Sequence, residues 1–297
     1  MIIKPEDFAI HEPDDGLLRI INEKEFSDKV LYEKESDFHT IKVVENEIGR
    51  FLHFKDTYQA GFIDTDVYRG NLPYINYFTI PYLINSYIQS ILLIGFGTGR
   101  IVNDFETLFD GLKTVDVVDI EENIFDIAKS YFGFEKSDKV DFILQDGLVY
   151  LRTCKKKYDL IVVDVASDEG IDSRFLENDY FESVKKCLSK KGLFVSNLCS
   201  SPDFEHPKNK LFKKITSIYN KNFKDNLVFK GNSSDMIYYK AFFGINKRVI
   251  DITNVIIISS NENIKIRNIN TQDEKKYAAA GIDIKMFLED LYGGNNG

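Results

Sequence analysis

Cysteine is scarce in this chain. Its 297 residues hold three, Cys154, Cys187 and Cys199, with no C-x-x-C spacing. So small and odd a set excludes a disulfide framework. Long apolar runs are missing as well: nothing approaches the roughly 20 residues that cross a bilayer as a helix. The opening residues, MIIKPEDFAIHEPDD, place acids where a secretory signal needs an apolar core. These absences together predict a cytoplasmic protein in a reducing setting. Positive charge is in deficit, with Lys+Arg 38 against Asp+Glu 47 and a net charge of −9. A broad nucleic-acid surface needs concentrated positive charge, so that partner class is excluded. The same balance suits a cationic ligand, and it equally serves solubility. His11, His53 and His206 are scattered without ligand spacing, so no metal site is expected. Ser167 lies outside any G-x-S-x-G setting, and no hydrolase triad is suggested.

What is present is ordinary globular composition, 43% hydrophobic and 29% charged, which excludes a disordered or collagen-like chain. A chain of this length buries about three quarters of its unfolded surface, enough for one large domain or one large and one small. Residues 1–65 read as β: LLRIINEK, KVLYEKE, TIKVVENE, RFLHFKD and QAGFID are short, rich in Ile, Val, Leu and Phe, and broken by polar turns. They predict a small N-terminal antiparallel β domain. No Pro/Gly linker follows, so it is expected to pack on a second domain formed by residues 66–297.

From residue 90 buried-type strands SILLIGFG, TVDVVD, VDFILQD, DLIVVD and GLFVSNL alternate with helical patterns. In EENIFDIAKSYF the apolar face is Ile124, Ile127, Ala128, Tyr131 and Phe132; in NDYFESVKKCLSK it is Tyr180, Phe181, Val184, Cys187 and Leu188. This alternation predicts an α/β fold, a Rossmann-like parallel sheet with helices on both faces. KNKLFKKITSIYNKNF reads as a further helix whose lysines form a solvated face. NLVFKG and MIYYKAFFGIN read as a closing strand pair, and DIKMFLEDLY as a last helix before a frayed tail.

The first strand of this region runs into Gly95-Phe96-Gly97-Thr98-Gly99-Arg100. Alternate glycines allow a sharp turn and a close approach of backbone to ligand. The dinucleotide fingerprint G-x-G-x-x-G requires glycine where Arg100 stands, so G-x-G-x-G favours an adenosyl-sulfonium ligand over a pyrophosphate. Acids then close three later strands: Asp119 followed by Ile120, Asp146 followed by Gly147, and Asp164. Ligands of open α/β sheets sit beyond the carboxyl ends of the strands, where these acids are expected to converge. Singly, each has a plain alternative as a turn starter or helix cap. Cys187 and Cys199 read as packing, and Cys154 as a loop residue among lysines.

ILLIGFGTGR, VVDIEENIFDIAKSYF, ILQDGLVYL, YDLIVVDVASDEG and GLFVSNLCSSP occur in an order that resembles the spermidine synthase family, the polyamine aminopropyltransferases. The likeness extends upstream through ESDFHTIKVV and YQAGFIDTDVYRGNLP, and downstream to EKKYAAAGIDIKMFLEDL, so it covers roughly residues 28 to 292. It implies a methyltransferase-type sheet and attack of an amine on a carbon beside a sulfonium, with release of methylthioadenosine. By the same resemblance Asp164 accepts a proton, Tyr68 orients the amine, and Asp168 is the second acid of a pair. Asp119 holds the ribose, Asp146 and Gly147 meet the adenine, and Gly95, Gly97, Thr98 and Gly99 form the donor loop, with His39 and Ile120 also counted among the donor-binding residues. A homodimer or homotetramer is implied.

The chain also departs from the family pattern. Thr98 replaces an aspartate that binds the amine end of decarboxylated S-adenosylmethionine, and Arg69 replaces a glutamine of the tyrosine motif. His39 stands where a glutamine is common, Asp168 is shifted by one position, and NSSDMIYYKAFFG lacks a Tyr-Pro element. The resemblance therefore implies aminopropyl transfer from decarboxylated S-adenosylmethionine to a small cationic amine. It leaves open a methyl or aminocarboxypropyl transfer from intact S-adenosylmethionine, and a catalytically silent nucleoside-binding scaffold.

Overall fold

Apolar residues that alternate along a chain favour extended strands with one buried face, and residues 29–71 fold this way. The computed structural model describes residues 2–3, 7, 9–11, 14–55, 57–165, 171–247 and 252–284. Strands β1 (Lys29–Glu35), β2 (Thr40–Asn46), β3 (Gly49–Phe54), β4 (Thr57–Asp64) and β5 (Arg69–Asn71) pair in chain order as an antiparallel meander. Register sets Val43 opposite Leu52, and Ile41, Val43, Phe51, Leu52 and Ile63 are fully buried. The sheet thus continues past residue 65 to Asn71. The segment LLRIINEK differs from expectation: it lies in helix α1 (Asp15–Glu23). Asp14 caps it by accepting from the Leu17 N–H at 3.3 Å. Leu17, Leu18 and Ile21 recur at helical spacing, and Arg19 pairs with Glu23 one turn on at 2.9 Å. Those local terms outweigh the β propensity of its isoleucines.

The larger layer is a seven-stranded sheet of β6 (Ser90–Ile94), β7 (Thr114–Asp119), β8 (Val140–Leu144), β9 (Tyr158–Val163), β10 (Leu188–Ser200), β11 (Asp225–Lys230) and β12 (Thr253–Ser260). The spatial order is β11-β12-β10-β9-β6-β7-β8. β6 to β10 run parallel, and β12 lies antiparallel between β10 and β11. Helices α2 (Arg100–Leu108), α3 (Ile124–Phe132), α4 (Gly147–Thr153), α5 (Asn178–Cys187) and α6 (Lys210–Asn222) make the connections. Because β6 leads to β7 on one side while β9 pairs on its other side, strand order reverses at the β6–β9 junction. Such a switch point opens a crevice at the carboxyl ends.

MIYYKAFF does not pair with β11. It belongs to helix α7 (Asn232–Phe243), in which Tyr238 stacks on Phe242 one turn away, with ring centroids 4.3 Å apart. The partner of β11 is β12, an apolar strand that the sequence reading did not assign. The expected last helix lies outside the described residues beyond position 284; helix α8 (Thr271–Ala279) precedes it. One apolar cluster joins the two sheets, with Phe51 and Leu52 of the meander packed among Phe78, Leu93, Phe105 and Phe242. Polar ties reinforce the contact: Lys34 Nζ donates to Asn123 Oδ1 and Arg50 Nη1 to the Tyr131 carbonyl, both at 2.8 Å. Among the described residues no helix is long and apolar enough to cross a membrane.

Candidate active site

A cavity of about 420 Å³ occupies the crevice. Its floor is the carboxyl end of β6, β7, β9 and β10. Its roof is Leu52, Phe54, Gln59 and Ala60 of the meander, and Tyr238 and Tyr239 of α7 close one side. The glycine loop forms the middle. Gly95 has φ +91, and a Cβ there would stand 2.1 Å from the Asp164 carbonyl oxygen. Glycine at 95 is therefore required for β6 and β9 to meet. Gly97, at φ +57, could hold a Cβ in ordinary contact, the nearest atom being Ala60 Cβ at 3.5 Å. Bare backbone faces the cavity at that point.

Asp119 ends β7 with each carboxylate oxygen fixed by a backbone N–H. Oδ2 accepts from Phe96 and Oδ1 from Glu121, both at 2.8 Å. Burial raises its pKa above the ordinary carboxylate value, and the two N–H groups oppose that shift. Ile120, 37% exposed, is an apolar surface beside it. His39 stands on the facing wall, stacked on Phe54 with centroids 4.1 Å apart.

Asp164 follows β9 at the switch point. Its Oδ1 accepts from Asn197 Nδ2 at 3.0 Å and its Oδ2 from the Tyr74 hydroxyl at 3.4 Å. Burial pushes its carboxyl up to about 6, against the lowering effect of those two hydrogen bonds. The Tyr74 hydroxyl is held well above its ordinary range by burial and by the Asp164 charge, so it stays a donor. Asn197 Oδ1 is buried with no hydrogen-bond partner among the described residues. The arrangement is a carboxylate with raised proton affinity, held by two neutral donors and open to a cavity. It can attract a cation and take a proton from it.

His39, Gly95, Gly97, Thr98, Asp119, Ile120 and Asp164 are brought together around this space. Others are not. Asp146 caps α4 by accepting from the Val149 N–H at 2.9 Å, and Gly147 packs on Ile94. Gly99 caps α2 behind the rings of Phe96 and Phe134. Tyr68 does not line the cavity; its hydroxyl bonds Asn76. Tyr74, not Tyr68, is the tyrosine beside Asp164. Arg69, 73% exposed, pairs with Asp64 at 3.1 Å. Asp168 lies outside the described residues. Gln59, Tyr74, Asn197, Tyr238 and Tyr239 were not singled out from sequence. The available signal was a polar Asn197 inside the apolar run GLFVSNL, and Tyr74 just after Pro73 at the start of a short helical turn. Among the described residues no group of three or more His, Cys, Asp or Glu is arranged to hold a metal ion.

Residues 78–229 match the family model described as the spermine/spermidine synthase domain. A polyamine aminopropyltransferase of Buchnera aphidicola from Schizaphis graminum is 26% identical over 220 residues, covering 72% of this chain and 70% of the relative. Its counterpart from the Buchnera of Acyrthosiphon pisum is 25% identical over 271 residues, covering 89% and 90%. A crystal structure of spermidine synthase in complex with the transition-state analogue AdoDATO superposes with a TM-score of 0.61 at 16% identity, covering 88% of each chain. That last likeness is one of fold.

Proposed function

The chain belongs to the spermine/spermidine synthase family, and on that premise we propose that it is a polyamine aminopropyltransferase. In this reading it moves an aminopropyl group from decarboxylated S-adenosylmethionine to a small di- or polyamine and releases methylthioadenosine. Asp164 carries the reading. An alkylammonium with a pKa near 10.4 gives up its proton at pH 7 at a cost of roughly 4–5 kcal/mol. A carboxylate pushed up to about 6 is ionised at neutral pH, so it attracts the ammonium. It is also more basic than an ordinary carboxylate, so it accepts the proton as the new C–N bond forms.

The other roles follow from position. Tyr74 and Asn197 hold Asp164, and the free Asn197 Oδ1 accepts a second N–H of the amine. Tyr238 and Tyr239 offer ring faces to its cationic chain. Asp119 keeps a lone pair on each oxygen for the ribose hydroxyls, while Ile120 and His39 border the adenine. Gly97 admits the donor against bare backbone. Asp168 is assigned the second acid of the pair on family resemblance. Incubation with decarboxylated S-adenosylmethionine and putrescine, followed by chromatography, should show methylthioadenosine release. Asp164→Asn should slow it by about 10²- to 10⁴-fold, the usual worth of a positioned base. No release with putrescine, cadaverine or spermidine would overturn the assignment.

A further inference from the structure

The three cysteines are all in the thiol form, and two of them meet far from the cavity. Cys154 caps the carboxyl end of α4, and Cys187 is the last residue of α5. The two helices pack against each other, and both cysteines belong to the apolar cluster between them and the sheet. Their side chains are in contact. Backbone geometry agrees, since Cys187 Sγ lies 3.5 Å from the Leu151 carbonyl oxygen, in the last turn of the helix that Cys154 caps. Sulfurs so placed reach a bonding distance of about 2.0 Å by side-chain rotation. Cys199 stands apart, on the wall of the cavity.

The pair is unequal. Cys154 is 7% exposed, whereas Cys187 is fully buried. Burial and the neighbouring Cys154 sulfur push the Cys187 thiol up to about 12, so it stays protonated. A small oxidant entering from solvent meets Cys154 first and finds Cys187 behind it. That is the order in which a sulfenic acid and its resolving cysteine stand.

A path for protons leads away from the two sulfurs. The Cys154 thiol touches the Tyr150 hydroxyl, Tyr150 is hydrogen-bonded to Tyr158, and Tyr158 donates to Asp116 Oδ2. The same oxygen pairs with Lys156 Nζ at 2.6 Å; the Asp116 side chain is buried and that of Lys156 is 59% exposed. A hydrogen-bonded chain therefore runs from the buried thiols to the surface. It lies at the amino end of β9, which begins at Tyr158, and so at the opposite end of the sheet from Asp164.

We propose that Cys154 and Cys187 form a reversible disulfide, a modification site closed by a peroxide and opened by a dithiol. The Cys154 sulfur attacks one peroxide oxygen, the O–O bond breaks, and the sulfur is oxidised to a sulfenic acid. The departing hydroxide takes the Cys154 proton and leaves as water. The Cys187 sulfur then attacks the Cys154 sulfur; the S–S bond forms, the S–O bond breaks, and hydroxide leaves as water with the Cys187 proton. Two thiols and one peroxide thus give one disulfide and two waters. The bond staples α4 to α5, and by closing the loop from residue 154 to 187 it constrains the unfolded chain.

The test treats the reduced full chain with hydrogen peroxide, alkylates the remaining thiols in denaturant, and reads the mass. Before alkylation the chain should have lost about 2 Da, the two thiol hydrogens, with full reversal by dithiothreitol. Only Cys199 should be alkylated, and digestion should yield a peptide joining Cys154 to Cys187. The oxidised chain should melt about 5 °C higher than the reduced one. Cys187→Ser should abolish the crosslink and leave a sulfenic acid on Cys154 that dimedone traps. Oxygen gained on any cysteine of the parent chain without an internal disulfide would overturn the proposal. So would a disulfide that includes Cys199, or three thiols that all remain open to alkylation. Because the parent chain alone decides between these outcomes, a Cys187→Ser protein that failed to fold would not shield the proposal.

Discussion

Asp164 shows how much chemistry one residue draws from its surroundings. Its position at a strand end was legible because acids at the carboxyl ends of parallel strands are a local pattern. Its partners were not. Tyr74 lies 90 residues away and Asn197 33 residues away, and no local rule joins them. Asp146 shows the converse, since a strand-end acid before a helix caps that helix as readily as it binds a ligand. The carboxyl near 6 gives a signed prediction. Asp164 must be ionised to accept a proton, so kcat/KM should fall below about pH 6, by about tenfold per unit. Asn197 stabilises the ionised form by donating to it, so Asn197→Ala should move that limb to higher pH. A pH–rate profile with an unmoved limb would show that Asn197 only fills space. Stability follows the other sign. The folded chain holds this proton more tightly than the unfolded chain, so the contribution is present below the ordinary carboxylate value and lost as pH rises through about 6. Asp164→Asn should therefore melt higher than the parent at pH 8.

Elements were legible where their period was clean. The buried strands β6, β7, β9 and β10 and helices α3, α5 and α6 declare themselves by apolar runs or by i, i+3, i+4 faces. The sequence of α1 points to a strand because its isoleucines favour strands and its cap is a single aspartate. α7 carries aromatic residues on several sides, which leaves no polar face to reveal a helical period. With α7 taken for a strand, β12 had no place, although TNVIIISS is strongly β-forming. The glycine loop ties element to site in a way that substitution can separate. Gly95→Ala would drive a Cβ to 2.1 Å from a backbone oxygen at φ +91. With a left-handed backbone added to overpacking, it should cost at least about 3 kcal/mol. Gly97→Ala has room for its methyl and carries only the backbone penalty, roughly 1–2 kcal/mol. Thermal melts should show Gly95→Ala severely destabilised and Gly97→Ala mildly so, while nucleoside affinity in Gly97→Ala falls out of proportion to its stability. Equal melting temperatures would mean that the β6–β9 junction yields.

At the scale of the whole molecule, the meander is the roof of the cavity as well as an appendage to the larger sheet. Its residues Phe51 and Leu52 share a core with β6 and α2, and neither sheet can bury that face alone. Phe242 of α7 is the side chain where these parts meet. It is fully buried, with Phe51 at 5.2 Å, Tyr58 at 5.4 Å and Tyr238 at 4.3 Å between ring centroids. Tyr58 and Tyr238 also line the cavity, so this ring transmits packing to the proposed amine side. Truncating a buried phenylalanine costs about 3–5 kcal/mol, because a cavity remains where the ring stood. Phe242→Ala should therefore lower the melting temperature of the whole chain and not of one part, with near- and far-ultraviolet dichroism changing together. Below its melting point the variant should show a raised KM for the amine with methylthioadenosine affinity largely kept, because Asp119 and the glycine loop lie on the other side of the cavity. Two separate transitions, with only the first sensitive to Phe242→Ala, would mean that the meander and the α/β layer hold together independently, and that the roof can open without unfolding the floor.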